Sequence, residues 1–327
     1  MKEQLIQEVQ RQMLPYLNNA QLKQLQGVLE GVLSGVELSH SAGMVESAKV
    51  DTVACFINAK RIEGCSEKTL SYYRQTIVSM LAGIEKEPQE IVTEDLRKYL
   101  TVYQMSRKSS KVTIDNIRRI LSSYFSWLED EDYIVKSPVR RIHKVKTAKV
   151  IKETYTDEAL EIMRDHAENI RDLAMIDLLA STGMRVGEMV KLNREDIDFE
   201  NRECIVFGKG DKERKVYFDA RAKIHLQNYL HGRTDEDPAL FVTLLKPYNR
   251  LNISGVEIRL RELGRRLNIP KVHPHKFRRT LATMAIDKGM PIEQVQQLLG
   301  HQSVDTTLQY AMVNQANVKI SHRKFIS

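Results

Sequence analysis

The stretch P-H-K-F-R-R-T-L-A-T at residues 274–283, followed by L-L-G-H at 298–301 and T-T-L-Q-Y at 306–310, decides how the chain is read. His275 and Arg278 stand three apart at the start of an apolar-periodic run, a spacing that puts both on one face of a helix. Gly300 precedes His301 and is the residue type that most often ends a helix. Tyr310 follows nine residues later, on what reads as a further short helix. Two histidines, an arginine and a tyrosine in this arrangement suit a phosphate pocket with a hydroxyl nucleophile.

Working upstream, the pattern from residue 156 onward is mixed. Thr156 with Asp157 and Glu158 opens a helix, since a hydroxyl cap and an acidic first turn both satisfy the helix N-terminus. A second helix near 171–181 runs to Gly183, and T-G-M-R-V-G-E (182–188) then places Arg185 beside a glycine turn with Glu188 three residues on. Residues 203–207 and 215–218 read as two strands of a hairpin joined by G-K-G-D-K-E-R (208–214), and 239–243 as a third strand. A basic amphipathic helix is expected over 254–267, with Arg259, Arg261, Arg265 and Arg266. The fold expected for residues 154–327 is mainly α with a small antiparallel β-sheet, an α+β arrangement.

Residues 45–135 carry helical periodicity throughout, with helices expected around 47–61, 67–85, 93–106 and 113–129. Thr93, followed by Glu94 and Asp95, reads as an N-cap. Lys108 and Lys111 precede the last of these helices and Arg118 and Arg119 lie in its first half, a placement suited to contact with a nucleic-acid backbone or groove. The connector, 136–153, holds Lys136, Arg140, Arg141, Lys144, Lys146, Lys149 and Lys152, with no acidic residue from Lys136 to Lys152. Pro138 stops any helix there, and an extended strap of such charge suits tracking along phosphates. Residues 1–44 form a helical appendage, with Leu5, Ile6, Val9 and Met13 on one stripe, a break at Pro15, a cap at Asn18 or Asn19, and a second stripe from Leu22 to Leu33.

Composition bounds the alternatives. A chain of 327 residues suits two domains and an appendage rather than one core. No window approaches a membrane span and the N-terminus has no signal-peptide core, so a cytoplasmic protein is expected. The formal net charge of +7 is compatible with nucleic-acid binding. Three cysteines, at 55, 65 and 204, without a C-x-x-C pair, argue against a disulfide framework or a zinc site.

Taken together, T-G-M-R-V-G-E, G-K-G-D-K-E-R, P-H-K-F-R-R-T-L-A-T, L-L-G-H and T-T-L-Q-Y, in this order over residues 45–315, resemble the tyrosine recombinases, most closely the bacterial Xer-type and phage-integrase-like members. The resemblance implies an all-α, SAM-like core-binding domain at 45–135 ahead of the basic linker and the catalytic domain. It implies that Tyr310 attacks the scissile phosphate to give a 3′-phosphotyrosine, that Arg185 and Arg278 clamp the non-bridging oxygens, and that Lys209 protonates the leaving 5′ oxygen. His275 would assist proton transfer, His301 would bond the phosphate or position the tyrosine, and Glu188 would orient Arg185 or His275. Lys108, Lys111, Arg118, Arg119, Arg140, Arg141, Lys144 and Lys146 are the expected DNA contacts. No cofactor, metal or ATP is implied. The partners implied are double-stranded DNA with a specific recombination site and a homotetramer on synapsed DNA, with or without a second recombinase or accessory factor, in a mobile-element or dimer-resolution setting. A type IB topoisomerase-like enzyme or an inactive DNA-binding protein are the other readings. One position departs from the common pattern: Arg279 stands where the family often has a second histidine.

Overall fold

Capping residues set most helix starts in this chain. The computed structural model describes residues 2–36, 50–147, 153–208, 213–301, 303–304 and 307–308, and the chain divides into two units, Met1–Thr147 and Ala148–Ser327. The described residues hold thirteen α-helices and one three-stranded antiparallel sheet. None of the helices is long and apolar enough to cross a membrane.

In the first unit, α1 (Lys2–Met13) and α2 (Asn19–Leu33) form a hairpin that buries Ile6 and Leu22. The α2 start is a reciprocal cap: the Asn18 side chain accepts from Gln21 N while the Gln21 side chain accepts from Asn18 N. The next four helices are α3 (Thr52–Ile62), α4 (Glu67–Ile84), α5 (Thr93–Arg107) and α6 (Lys111–Asp130). Asp51, Ser66 and Ser110 cap α3, α4 and α6. Thr93 does not cap α5: Val92 occupies that position, its N–H bonded to the Asp95 carboxylate, while the Thr93 hydroxyl donates to Pro138 O at 2.7 Å. Helix α6 covers the helix expected over 113–129 and turns one stripe inward, with Ile117, Leu121, Tyr124, Phe125 and Leu128 all buried. Each such side chain taken out of water is worth about 1.5–3 kcal/mol.

The basic connector is not extended over its first half. Residues Pro138–Arg141 make a 3₁₀ turn, Val139 is buried, and Ile142 and Val145 pack on the same core as α6. Ion pairing and backbone bonds reinforce this: Arg140 pairs with Glu129, and Val145 N donates to Asp115 Oδ1 at 3.0 Å. The apolar residues between the charges override the extended reading, because burying them outweighs what full solvation of a lysine-rich strap offers. Lys149 and Lys152 lie outside the described residues.

In the second unit, α7 (Asp157–Asp165) starts at its Thr156 cap, and α8 (Ile170–Thr182) is buried nearly all round, packed against the later helices α10 and α12. A one-turn α9 (Val186–Met189) leads to the sheet of β1 (Ile197–Asp198), β2 (Glu203–Phe207) and β3 (Glu213–Tyr217), in that order. The remaining helices are α10 (Ala220–His231), α11 (Ile253–Arg266), α12 (Pro274–Asp287) and α13 (Ile292–Leu299).

The third strand of the sheet is β1, not residues 239–243. That run is buried at Ala239, Leu240, Phe241 and Val242, but its amides bond irregularly: Leu240 N to Leu192 O, Val242 N to Tyr229 Oη and Thr243 N to Asn249 O. The core claimed the apolar segment as a lining and left it outside the ladder.

Candidate active site

Two glycine-ended helices prepare the site. Helix α8 stops at Gly183 with φ 59° and α13 stops at Gly300 with φ 63°, left-handed conformations that favour glycine. Space favours glycine as well: a Cβ at Gly183 would meet Leu281 Cδ2 at 2.6 Å, and one at Gly300 would meet Arg214 Cδ at 2.8 Å, so either side chain would have to shift. Each stop frees carbonyls that have no partner within the helix.

Arginines take those carbonyls. Arg278, on α12 and 2 % exposed, donates from Nη1 to Gly183 O at 2.8 Å and from Nη2 to Leu299 O. Arg185 immediately precedes α9 and donates from Nη2 to Gly300 O at 3.4 Å. Arg214, in β3, donates from Nε to Leu298 O at 3.2 Å. Glu188, 5 % exposed, sits between two of these guanidiniums. It accepts from Arg185 N at 2.7 Å and Arg185 Nη1 at 2.8 Å, and from both ends of the Arg214 fork at 2.8 and 2.7 Å. Burial alone raises the Glu188 pKa, but bonds from Arg214 and from the Arg185 backbone and side chain outweigh it and hold the carboxyl below its usual range.

His301 follows directly. Its Nδ1 bonds Thr307 Oγ1 at 2.9 Å, and its pKa is pushed down to about 4 by burial first, then by Arg278, Arg185 and Arg214. The imidazole is therefore neutral at pH 7, held so by the same cations that would receive an anion. His275 lies in the first turn of α12 and is exposed. The neighbouring His273, the α12 N-cap, is half-buried and has its pKa lowered by burial, with Arg279 and His275 adding to the effect.

The structure thus brings Arg185, Glu188, Arg278 and His301 together, with Glu188 holding Arg185. Lys209 and Tyr310 lie outside the described residues; β2 ends two residues before Lys209, at Phe207. Arg214 is the member that sequence reasoning missed. Strand alternation could have found it, because Arg214 shares a face with Val216, which is fully buried.

The expected DNA contacts divide. Lys108, Lys111, Lys144 and Lys146 are exposed, and Arg119 is 65 % exposed, with its Nη2 on Asn116 Oδ1. Arg118 is only 15 % exposed and is held by Asp115 at 2.9 Å. Arg140 is exposed and paired with Glu129, and the Arg141 carbonyl accepts from Arg97 Nη2.

Comparison with known proteins adds the family. The sequence pattern of the phage integrase family matches residues 149–317, and that of the phage integrase N-terminal SAM-like domain matches residues 54–134. The tyrosine recombinase XerC of Staphylococcus aureus (strain JH9) is 29% identical over 280 residues, covering 81% of this chain and 92% of the relative. The fold is shared with the XerH site-specific recombinase bound to a palindromic difH substrate in a post-cleavage complex: TM-score 0.67, 19% identity, 98% of this chain and 95% of that one. It is shared also with the Tn1549 transposon integrase in complex with a circular intermediate DNA: TM-score 0.68, 18% identity, 84% of this chain and 99% of that one.

Proposed function

The chain belongs to the phage integrase family, and on that premise we propose that it is a site-specific DNA recombinase cutting and rejoining duplexes through a 3′-phosphotyrosine and a Holliday junction. The observation that carries the reading is the convergence of Arg185, Arg214 and Arg278 around a neutral His301, with one buried carboxylate, Glu188, among them. A phosphodiester carries one negative charge that spreads over its oxygens as a nucleophile adds. Forked donors fixed in advance stabilise that charge without reorganising. Arg185 and Arg278 contact the non-bridging oxygens, and neutral His301 bonds one of them or positions Tyr310. Tyr310 attacks, Lys209 protonates the departing 5′ oxygen, and His275 assists proton transfer at the nucleophile.

The covalent intermediate conserves the phosphodiester bond energy, so the reaction proceeds without ATP, and the arginines and Lys209 supply the charge stabilisation for which other nucleases use a metal ion. Residues 45–135 act as the core DNA-binding domain, with exposed Lys108, Lys111 and Arg119 on phosphates, and 154–327 as the catalytic domain. Two duplexes are exchanged within a homotetramer.

The test is a nicked suicide substrate carrying the site recovered by footprinting the DNA that flanks the gene. Wild type forms a protein–DNA adduct stable to denaturation in the presence of a chelator, and Tyr310→Phe forms none; an adduct with the Phe variant removes Tyr310 from the role. Relaxation of a plasmid lacking any such site would favour the topoisomerase-like reading.

A further inference from the structure

Helix α12 carries His275 and Arg278, and its opposite side is gripped by three residues from the start of the second unit's described chain, 153–155. At about 3.6 residues per turn, His273, Lys276, Phe277 and Thr280 fall on one side of α12, and His275 and Arg278 on the other. Tyr155, 5 % exposed, spans the first of these faces. Its N–H donates to Thr280 Oγ1 at 2.9 Å, and its hydroxyl accepts from His273 N at 3.1 Å. Between those bonds its ring lies 4.8 Å from that of Phe277 and 4.6 Å below the Lys276 ammonium. The second grip is Arg279, whose Nε donates to Glu153 O at 2.9 Å.

The start of α12 depends on this grip. His273 is its N-cap but makes no side-chain cap bond, and Pro274 at the first helical position has no N–H. The Tyr155 hydroxyl therefore anchors the backbone at the point where the helix begins, two residues before His275.

We propose that Tyr155 and Arg279 are positioning residues that latch segment 153–155 onto α12 and so hold His275 and Arg278 in register for phosphoryl transfer. This rests on the recombinase reading of those two side chains. It also accounts for the arginine at 279: the residue acts as a hydrogen-bond donor to a carbonyl, not as an added charge for DNA.

The experiment uses the full chain and compares Tyr155→Phe, Arg279→Ala and Arg279→Gln with wild type. It reads the single-turnover rate of covalent adduct formation, the DNA dissociation constant as a function of salt, and amide exchange in the first turn of α12. Tyr155→Phe keeps the ring and loses only the hydroxyl. Its adduct rate should fall roughly threefold to tenfold, the rate equivalent of one neutral hydrogen bond, with DNA affinity unchanged and faster amide exchange. Arg279→Ala should behave alike, and Arg279→Gln, whose amide still donates, should recover most of the rate.

If Arg279 instead meets a phosphate, Gln and Ala weaken binding equally and the salt slope falls by about 1, which overturns the latch at that position. Unchanged rate and unchanged amide exchange in Tyr155→Phe overturn it at the other. If wild type itself forms no adduct, the recombinase reading fails, while amide exchange still decides whether the latch exists.

Discussion

Replacing Glu188 with glutamine alters a single acceptor atom at the centre of the site. The carboxylate accepts four bonds, Oε1 from Arg185 Nη1 and Arg214 Nη1, Oε2 from Arg185 N and Arg214 Nη2. An amide turned either way presents its NH₂ to one donor from each arginine, so two bonds are lost and donors face donors. Breaking a buried ion pair by removing one partner costs about 3–5 kcal/mol. The Arg185 side chain is 35% exposed and its share is screened, which puts the expected loss near the lower end, about 3 kcal/mol.

Urea unfolding at pH 7 followed by circular dichroism should show that loss, and fluorescence of Trp127, the chain's only tryptophan and a residue of the first unit, should not move. The pH dependence has a definite sign. The Glu188 pKa is depressed in the fold, so its contribution is complete above the unfolded carboxylate value, about 4.3, and disappears as pH falls through the lower folded value. The gap between wild type and variant should therefore narrow only in acid. Adduct formation should slow by roughly 100-fold, because Arg185 loses the partner that fixes its fork. A gap below about 1 kcal/mol at pH 7, with an unaltered adduct rate, would refute the role assigned to Glu188.

Three further outcomes follow from the site and the first unit. His301 should titrate with a midpoint at about 4 by NMR in the free protein. The unfolded chain binds its proton more readily, so His301 makes stability rise with pH between about 4 and about 6.5, and His301→Gln should remove that rise; a midpoint in the ordinary histidine range would contradict it. Lys209→Ala should slow cleavage by roughly 10²–10⁴-fold, with a 5′-thiol leaving group restoring the rate, since a thiolate departs without a proton; lack of rescue would assign the acid elsewhere. Arg119→Ala should weaken DNA binding and lower the salt slope by about 1. Arg118→Ala, which breaks the pair with Asp115, should leave affinity nearly unchanged and lower stability by about 1 kcal/mol; the reverse pattern would exchange the two roles.

Local signals made most of the helices legible. Thr156, Asn18 and Gly183 end or begin helices where their chemistry says they should, and the helix expected over 113–129 is present as α6, where burial and period agree. The misreadings share a cause, which is tertiary burial acting against a local pattern. Charge density in 136–147 masks Val139, Ile142 and Val145, which dock the connector on the first core. Apolar density in 239–243 suggests a strand where the core needs a lining, and β1, two residues long, is too short to show a period. Thr93 has a cap's chemistry but its hydroxyl is taken by Pro138 O, a partner 45 residues away. Arg214 belongs to the site through Glu188, a partner 26 residues away that spacing alone does not reveal.

The same geometry explains why glycine and arginine recur together in the motifs. T-G-M-R and L-L-G-H each contain a helix stop, and the arginines occupy the carbonyls those stops expose: Gly183 O and Leu299 O for Arg278, Leu298 O for Arg214, Gly300 O for Arg185. The C-terminal end of a helix carries the negative end of its dipole, so these carbonyls orient guanidiniums well. A carbonyl is a dipole, however, and does not neutralise a charge. Glu188 does so for Arg185 and Arg214, and His301 is held neutral. Fixing the forks on helix ends holds the donors in place, and glycine at 183 and 300 lets the backbone make each left-handed stop without a Cβ pressing on Leu281 or Arg214.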